Sequence, residues 1–460
     1  MVKVLPVLMA IFLSVMHFQF FDDSGDLENK NLLAENKNPR NHLTQDTSKR
    51  NEVTAKVMSI GEASAQNSAI NLSSVGGIQG NEQGDYTPIN YDGKTVLRIT
   101  WQVVPYAVKY KIVAADETFV SYTEGIEISL ANPDQDIQIT ALDYDGNVVD
   151  GNVQIVEREL NPTAPLTTSE FDKMSFSPEY LVYSWIPTNG ADHYEIQLIQ
   201  NGNVIREFVT EYHPKDDNFD FYDTDPILDE GDYFWRVRGL SANDTPITAW
   251  SAKKDGNSFK IKLPVRFCAI GDSITHGGGS ISVPPSNVLY NWETYCAVPV
   301  KNLGKSGDTT GDILDRFERD VLPFKPEVLF IMAGVNDYRS GILGWTAVTH
   351  LKEINEKCKM YGIKPVFITP TPINSRLIRK IKFVESPPTD WQTHMNYICD
   401  WVRAQENHID IAEYFVDGDG NLRADLSTDG LHPDLEGKEI IGRAVGDWLN
   451  NYLDSFIPVD

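Results

Sequence analysis

Near residue 263 the periodicity of this chain changes, and that change limits the available folds more than any other feature. Before it, apolar residues alternate over short runs; after it, strand-like runs and helical patterns take turns. The later strand-like runs are "RFCAI", "PVKNLG", "EVLFIMAG", "KPVFITP" and "IDIAEYF". Between them, apolar residues recur at helical spacing. Ile313, Phe317 and Val321 form one set, Ala347, Leu351, Ile354 and Cys358 a second, and Trp391, Met395, Ile398 and Val402 a third. Ile441, Val445, Trp448 and Tyr452 close the series. Parallel strands need crossover connections, and the crossover helices land on the sheet, so this alternation implies a parallel sheet covered on both faces. Five strands predict a flavodoxin-like, three-layer α/β domain over residues 263–457.

Upstream lies an internal repeat. "ITWQVVPYAVKYKIV" from Ile99 aligns with "YSWIPTNGADHYEIQLI" from Tyr183: Trp101 and Tyr110 are spaced like Trp185 and Tyr194, with Ala107 and Ala191 at matching places. In "YFWRVRGL", Tyr233, Trp235 and Val237 share one face while Arg236 and Arg238 take the other. Short alternating strands split by turns such as "DYDGN" and "QNGN" predict β-sandwiches. Both copies resemble fibronectin type III domains, giving one module over 89–160 and a second over 161–262. Such modules space or bind, and their tryptophans are expected in the core. They are candidates to contact a polysaccharide or the cell surface.

The chain opens with "MVKVLPVLMAIFLSVMHFQF", one lysine ahead of an apolar run, which has the shape of a secretory signal or anchor over residues 1–21. Residues 22–88 are rich in Asn, Ser, Glu, Gln and Lys, a composition that predicts a disordered linker. The expected location is outside the cell, secreted or attached to a bacterial surface. A formal net charge of -26 argues against a nucleic-acid partner, because phosphate binding needs clustered Lys and Arg. Cys268, Cys296, Cys358 and Cys399 lack metal-ligand spacing and sit in apolar settings, as small buried hydrophobes do. "DGDGNL" from Asp417 begins like a calcium loop, but Thr428 stands where the bidentate Glu would be, so it reads as a turn and no metal site is expected.

The residues just past the α/β strands carry chemistry. Ser273 comes after the first strand, Gly307 after the second, and Asn336 after the third. Asp429 and His432 lie in "TDGLHPD" ahead of the last helix. All strand C-termini of a parallel sheet share one edge, so these residues converge without special tuning. A serine hydroxyl needs a general base, and His432 stands beside a carboxylate, Asp429, able to orient it. The backbone N–H groups of Ser273 and Gly307 and the Asn336 amide could together hold an oxyanion. Asp272, His276 and Asp337 neighbour these positions and are candidate substrate contacts.

In order along the chain, "GDSIT", "NLGKSGDTT", "GVND" and "DGLHP" resemble the four signature blocks of the SGNH (GDSL-type) hydrolases. The resemblance implies Ser273 as nucleophile, Gly307 and Asn336 as further oxyanion donors, and Asp429 with His432 completing a triad, with no cofactor. It implies a serine esterase. Export and the accessory modules point to short acyl esters, acetyl above all, on a carbohydrate or another small ester substrate. A lysophospholipase or thioesterase of the same family is the alternative, and a non-catalytic glycan-binding or adhesion protein is the other.

Overall fold

The computed structural model describes residues 85–210, 219–378 and 386–456. The apolar segment 1–21 and the expected linker as far as residue 84 lie outside the described residues. None of the described helices is long and apolar enough to cross a membrane.

Two pairs of antiparallel sheets come first. Strands β1 (Thr95–Trp101), β2 (Lys109–Ala114), β3 (Glu117–Ser121), β4 (Gly125–Leu130), β5 (Ile137–Leu142), β6 (Val148–Asp150) and β7 (Ile155–Leu160) form sheets ordered β4-β1-β7 and β3-β2-β5-β6. Leu97, Ile99 and Trp101 from one sheet and Tyr110, Ile112 and Ile139 from the other share one core. The same plan recurs in β8 (Leu166–Thr167), β9 (Val182–Ile186), β10 (His193–Gln200), β11 (Asn203–Val209), β12 (Asp220–Tyr222), β13 (Gly231–Leu240) and β14 (Ser258–Ile261), ordered β12-β9-β8 and β11-β10-β13-β14. The two units differ at one place: beside β1 lies the last strand of its unit, β7, whereas beside β9 lies the first of its unit, β8.

The repeat seen in the sequence has a physical basis. Trp101 packs on Tyr110 with ring centroids 5.1 Å apart, and Trp185 on Tyr194 at 4.9 Å. Each tyrosine hydroxyl accepts a backbone N–H six residues earlier, from Val104 and Thr188. Ala107 and Ala191 each donate a backbone bond to those same residues. The motif thus fixes the turn between neighbouring strands around a buried aromatic pair. Tyr233, Trp235 and Val237 are buried, while Arg236 and Arg238 lie over the Trp250 ring at 4.4 and 4.5 Å.

The third unit is a five-stranded parallel sheet. Its strands are β15 (Phe267–Gly271), β16 (Lys301–Gly304), β17 (Val328–Met332), β18 (Lys364–Ile368) and β19 (His408–Ile409), in the order β16-β15-β17-β18-β19. That is the expected flavodoxin-like order. Three of the strands, β15, β16 and β17, are buried at every position, which a sheet allows only when both faces are covered. The cover comes from α1 (Ser273–His276), α2 (Thr310–Val321), α3 (Val335–Arg339), α4 (Gly344–Met360), α5 (Trp391–Arg403), α6 (Ala412–Phe415) and α7 (Leu435–Asp454). Ile313, Phe317 and Val321 of α2 and Leu351, Ile354 and Cys358 of α4 enter the core as the spacing predicts.

One strand falls short of its expectation. Of "IDIAEYF", only Ile409 continues the ladder, and Ala412–Phe415 is helical. Thr369 explains the departure, because its Oγ1 accepts the backbone N–H groups of Ile411 and Ala412, at 2.9 and 3.0 Å, and draws them off the sheet. All four cysteines are free thiols, three of them buried.

Both sandwiches are packed onto the α/β unit. Tyr144, from the turn after β5, packs against the α/β core, and Ser282 Oγ donates to the Ala107 carbonyl at 3.0 Å. The second sandwich is tied more heavily. Lys301 Nζ donates to the Ser177 carbonyl at 2.6 Å, and the Glu179 N–H to the Asn302 carbonyl at 2.9 Å. The Tyr180 hydroxyl donates to Asp320 at 2.6 Å.

Candidate active site

Ser273 is placed by a strand that has to stop. Gly271, the last residue of β15, has no room for a side chain: a Cβ there would sit 2.4 Å from Thr275 Oγ1 and 2.5 Å from the Met332 carbonyl. The chain then turns at Asp272, whose carboxylate caps α1 by accepting the Ile274 N–H at 3.0 Å. Ser273 opens that helix. Asn302, on β16, holds the helix down by donating to the Thr275 carbonyl at 2.6 Å.

Ser273, His432 and Asp429 form one hydrogen-bonded chain. Ser273 Oγ lies 2.9 Å from His432 Nε2, and His432 Nδ1 lies 2.7 Å from Asp429 Oδ2. A carboxylate oxygen only accepts, so Nδ1 carries the proton and Nε2 is free to accept the serine proton. The other carboxylate oxygen accepts the backbone N–H groups of Leu431 and His432, at 2.8 and 2.7 Å. Burial pushes the Asp429 carboxyl up, but the charge of His432 and these hydrogen bonds outweigh it and hold the group below its ordinary value. The carboxylate is therefore ionised and rigid.

Three donors belong to the same sheet edge. Gly271 pairs in register with Gly304 of β16 and with Met332 of β17, so the loops carrying Ser273, Gly307 and Asn336 leave side by side. Among the described residues, the N–H groups of Ser273 and Gly307 find no acceptor within the chain. Gly307 has φ +90 with open space where a Cβ would stand, a conformation suited to glycine. Asn336 Nδ2 donates to the Asp308 carbonyl at 2.9 Å, and its Oδ1 accepts from Arg339 at 3.1 Å. With the amide orientation set from both ends, its second N–H is left for another acceptor. The assembly can move a proton off a hydroxyl and hold a negative oxygen.

The three candidate substrate contacts face elsewhere. Asp272 is buried in its capping role, and burial pushes its carboxyl up to about 7. Asp337 is fully buried, accepting from Thr310 N at 2.9 Å and Thr310 Oγ1 at 2.6 Å, which fixes the start of α2. His276, 2% exposed, has both ring nitrogens engaged, with Ser306 Oγ and with the Tyr180 carbonyl, each at 2.8 Å. Their direction is set by partners that sequence proximity to the site does not reveal.

Sequence reasoning missed Arg316. This buried guanidinium donates to Asp308 at 2.5 Å, to Asp320 at 3.1 Å, and to the carbonyls of Leu303 and Gly271 at 2.9 and 3.0 Å. It thereby ties α2 to the ends of β15 and β16 directly beneath the site. Its place between charged neighbours in "LDRFERD" carries no signal that separates it from a solvated helix face.

Residues 269–440 match the model of the GDSL-like Lipase/Acylhydrolase family. Among curated proteins, an uncharacterized lipoprotein of Bacillus subtilis, YqeF, is 39% identical over 80 residues, 16% of this chain and 33% of that protein. The chain thus spans about a third of the length of that relative. A GDSL-like lipase from Bacteroides thetaiotaomicron is 20% identical, covering 42% of this chain and 93% of its own, with a TM-score of 0.35. A lipase/acylhydrolase from Enterococcus faecalis is 25% identical over 41% of this chain and 97% of its own, TM-score 0.33. A variant of an acetyl-xylooligosaccharide esterase from Geobacillus is 21% identical over 41% and 94%, TM-score 0.30.

Proposed function

We propose that this protein, a hydrolase built on a GDSL-like acylhydrolase domain, cleaves carboxylic esters with Ser273 as its nucleophile. The observation that carries the reading is the unbroken chain from Ser273 Oγ through His432 to Asp429. His432 Nε2 takes the hydroxyl proton as Oγ attacks the acyl carbon, and Asp429 stabilises the imidazolium that forms. The oxygen that gains charge is met by the N–H groups of Ser273 and Gly307 and the Asn336 amide. Collapse breaks the ester C–O bond, and the alcohol leaves with the proton from His432. Water, deprotonated by the same imidazole, then releases the acid and restores Ser273.

The substrate we infer is a short acyl group, acetyl above all, on a carbohydrate. The sheet edge around Gly307 and Asn336 supports this, because Arg339 and Ser340 are at least partly exposed there. Such groups hydrogen-bond hydroxyls, whereas a long acyl chain needs an apolar trough. The N-terminal apolar run supports action outside the cell. The sandwiches are read as fibronectin type III-like, with boundaries at 160 and 262.

A panel of p-nitrophenyl esters from acetate to palmitate, run beside acetylated xylan and lysophosphatidylcholine, tests the substrate class. Expected is a kcat/KM highest for acetate and falling at least ~10-fold by octanoate, with acetate released from the xylan. A ceiling at long chains, or turnover of the lysolipid alone, would turn the reading to a lysophospholipase.

A further inference from the structure

We propose that His276 is a positioning residue for the oxyanion site, and that the second sandwich supplies its anchor. The inference rests on the reading of Gly307 as an oxyanion donor. A glycine at φ +90 with empty space beside it is free to adopt many conformations, so a donor built on it must be held by something else. The hold comes through Ser306, its immediate neighbour.

The protonation state of His276 is dictated by its partners. The Tyr180 carbonyl, 2.8 Å from Nε2, can only accept, so Nε2 carries the proton. Burial, helped by the nearby cations Arg316, Lys438 and Lys305 against the Tyr180 hydrogen bond, pushes the imidazole down to about 4, and the ring is neutral at neutral pH. Nδ1 is therefore an acceptor. It receives the Ser306 Oγ at 2.8 Å and the Ser306 backbone N–H at 3.3 Å. Both contacts fall on one residue, and the next peptide carries the Gly307 N–H.

The fold forces this proximity. Gly304 at the end of β16 has no space for a Cβ, which would stand 2.2 Å from the His276 backbone nitrogen. Helix α1 and the 305–308 loop are thus pressed together. The remaining ties on that loop's backbone are Lys305 N–H to the Gly271 carbonyl at 3.0 Å, a longer 3.3 Å turn bond from Asp308 to Lys305, and the Asn336 amide on the Asp308 carbonyl at 2.9 Å. The anchor at the far side is not part of the α/β unit. Tyr180 precedes β9, and Tyr222 of β12 sets its ring edge-on to His276 at 6.1 Å. Swinging the 306–307 peptide away from Ser273 breaks the His276–Ser306 pair. The second sandwich is therefore a built-in part of the oxyanion scaffold.

Three variants of the full chain separate this role from packing. The amide of Gln reaches about where Nε2 lies, and the amide of Asn about where Nδ1 lies. His276→Gln therefore keeps the Tyr180 link and loses Ser306, and His276→Asn does the reverse. Ser306→Ala removes the Oγ contact at a half-exposed position and serves as the second variant if His276→Gln fails to fold. For p-nitrophenyl acetate, His276→Gln is expected to lower kcat by ~10–100-fold, in line with the loss from a misplacement of about 1 Å. KM should move less than ~3-fold, and the inhibition constant of phenylboronic acid should rise by the same factor as kcat falls. His276→Asn should recover most of that loss, and Ser306→Ala should lower kcat by ~3–10-fold. Folded variants that keep wild-type kcat, or that change only KM or Tm, overturn the positioning role. The triad reading fails separately, by a Ser273→Ala protein that turns over like wild type.

Discussion

Ser273→Ala leaves the fold intact and lowers kcat for p-nitrophenyl acetate by ~10⁴–10⁶-fold, the range seen when a member of such a triad is removed. The expectation is this large because the side chain does one thing. Its Oγ contacts His432 at 2.9 Å and takes no other side-chain partner among the described residues, so little packing is lost with it. Asp429 keeps its bonds to His432 and Leu431, and α1 keeps its Asp272 cap. The variant should therefore melt within a few degrees of wild type. Steady-state kinetics and a thermal melt check both halves; turnover within ~10-fold of wild type would remove Ser273 from the chemistry.

Arg316→Met produces the largest loss of stability. The guanidinium is 6% exposed and bridges Asp308, Asp320 and two strand-end carbonyls, with Glu179 of the second sandwich 4.0 Å away. Methionine fills the stem's volume but leaves the buried Asp308 carboxylate and two strand-end carbonyls without their donor, while Asp320 retains Arg319. Removing one partner of a buried ionic group costs about 3–5 kcal/mol, because the remaining charges stay desolvated. For a unit of this size that corresponds to a Tm lower by roughly 10 °C. Calorimetry and a urea titration read the change directly. A melt within ~2 °C of wild type would mean that water or rearrangement compensates the cluster, and that Arg316 is not the tie between interface and site.

The parts of this structure that are local in sequence were legible in advance. Strand β15 ends where Gly271-Asp272-Ser273 suggested, and the parallel order brings the loops of Ser273, Gly307 and Asn336 to one edge, where the segment ahead of the last helix adds Asp429 and His432. The aromatic pairs Trp101–Tyr110 and Trp185–Tyr194 were legible as a repeat because each closes its own turn. Contacts made across long separations were not. His276 and Asp337 sit next to the site in sequence, yet Tyr180 and Thr310 turn their side chains inward. The docking of the second sandwich uses backbone carbonyls at Ser177 and Tyr180, which any residue type offers. The shortened β19 depends on Thr369, far away on the neighbouring strand's end.

Fully buried Glu179, Tyr180 and Lys301 meet across the junction, so the second sandwich and the α/β unit form one continuous body around the site. On the proposed reading, the second sandwich supports, through Tyr180 and His276, the loop assigned to the oxyanion.

The central claim, that His432 and Asp429 raise the reactivity of one hydroxyl, is tested most directly by labelling the intact protein with a fluorophosphonate and mapping the adduct by peptide mass spectrometry. One phosphonate per chain on Ser273 is expected, with labelling slowed at least ~10³-fold in His432→Ala, the scale of loss expected of a missing general base. An adduct on another residue, or none at Ser273 under conditions that label a known serine esterase, would contradict it.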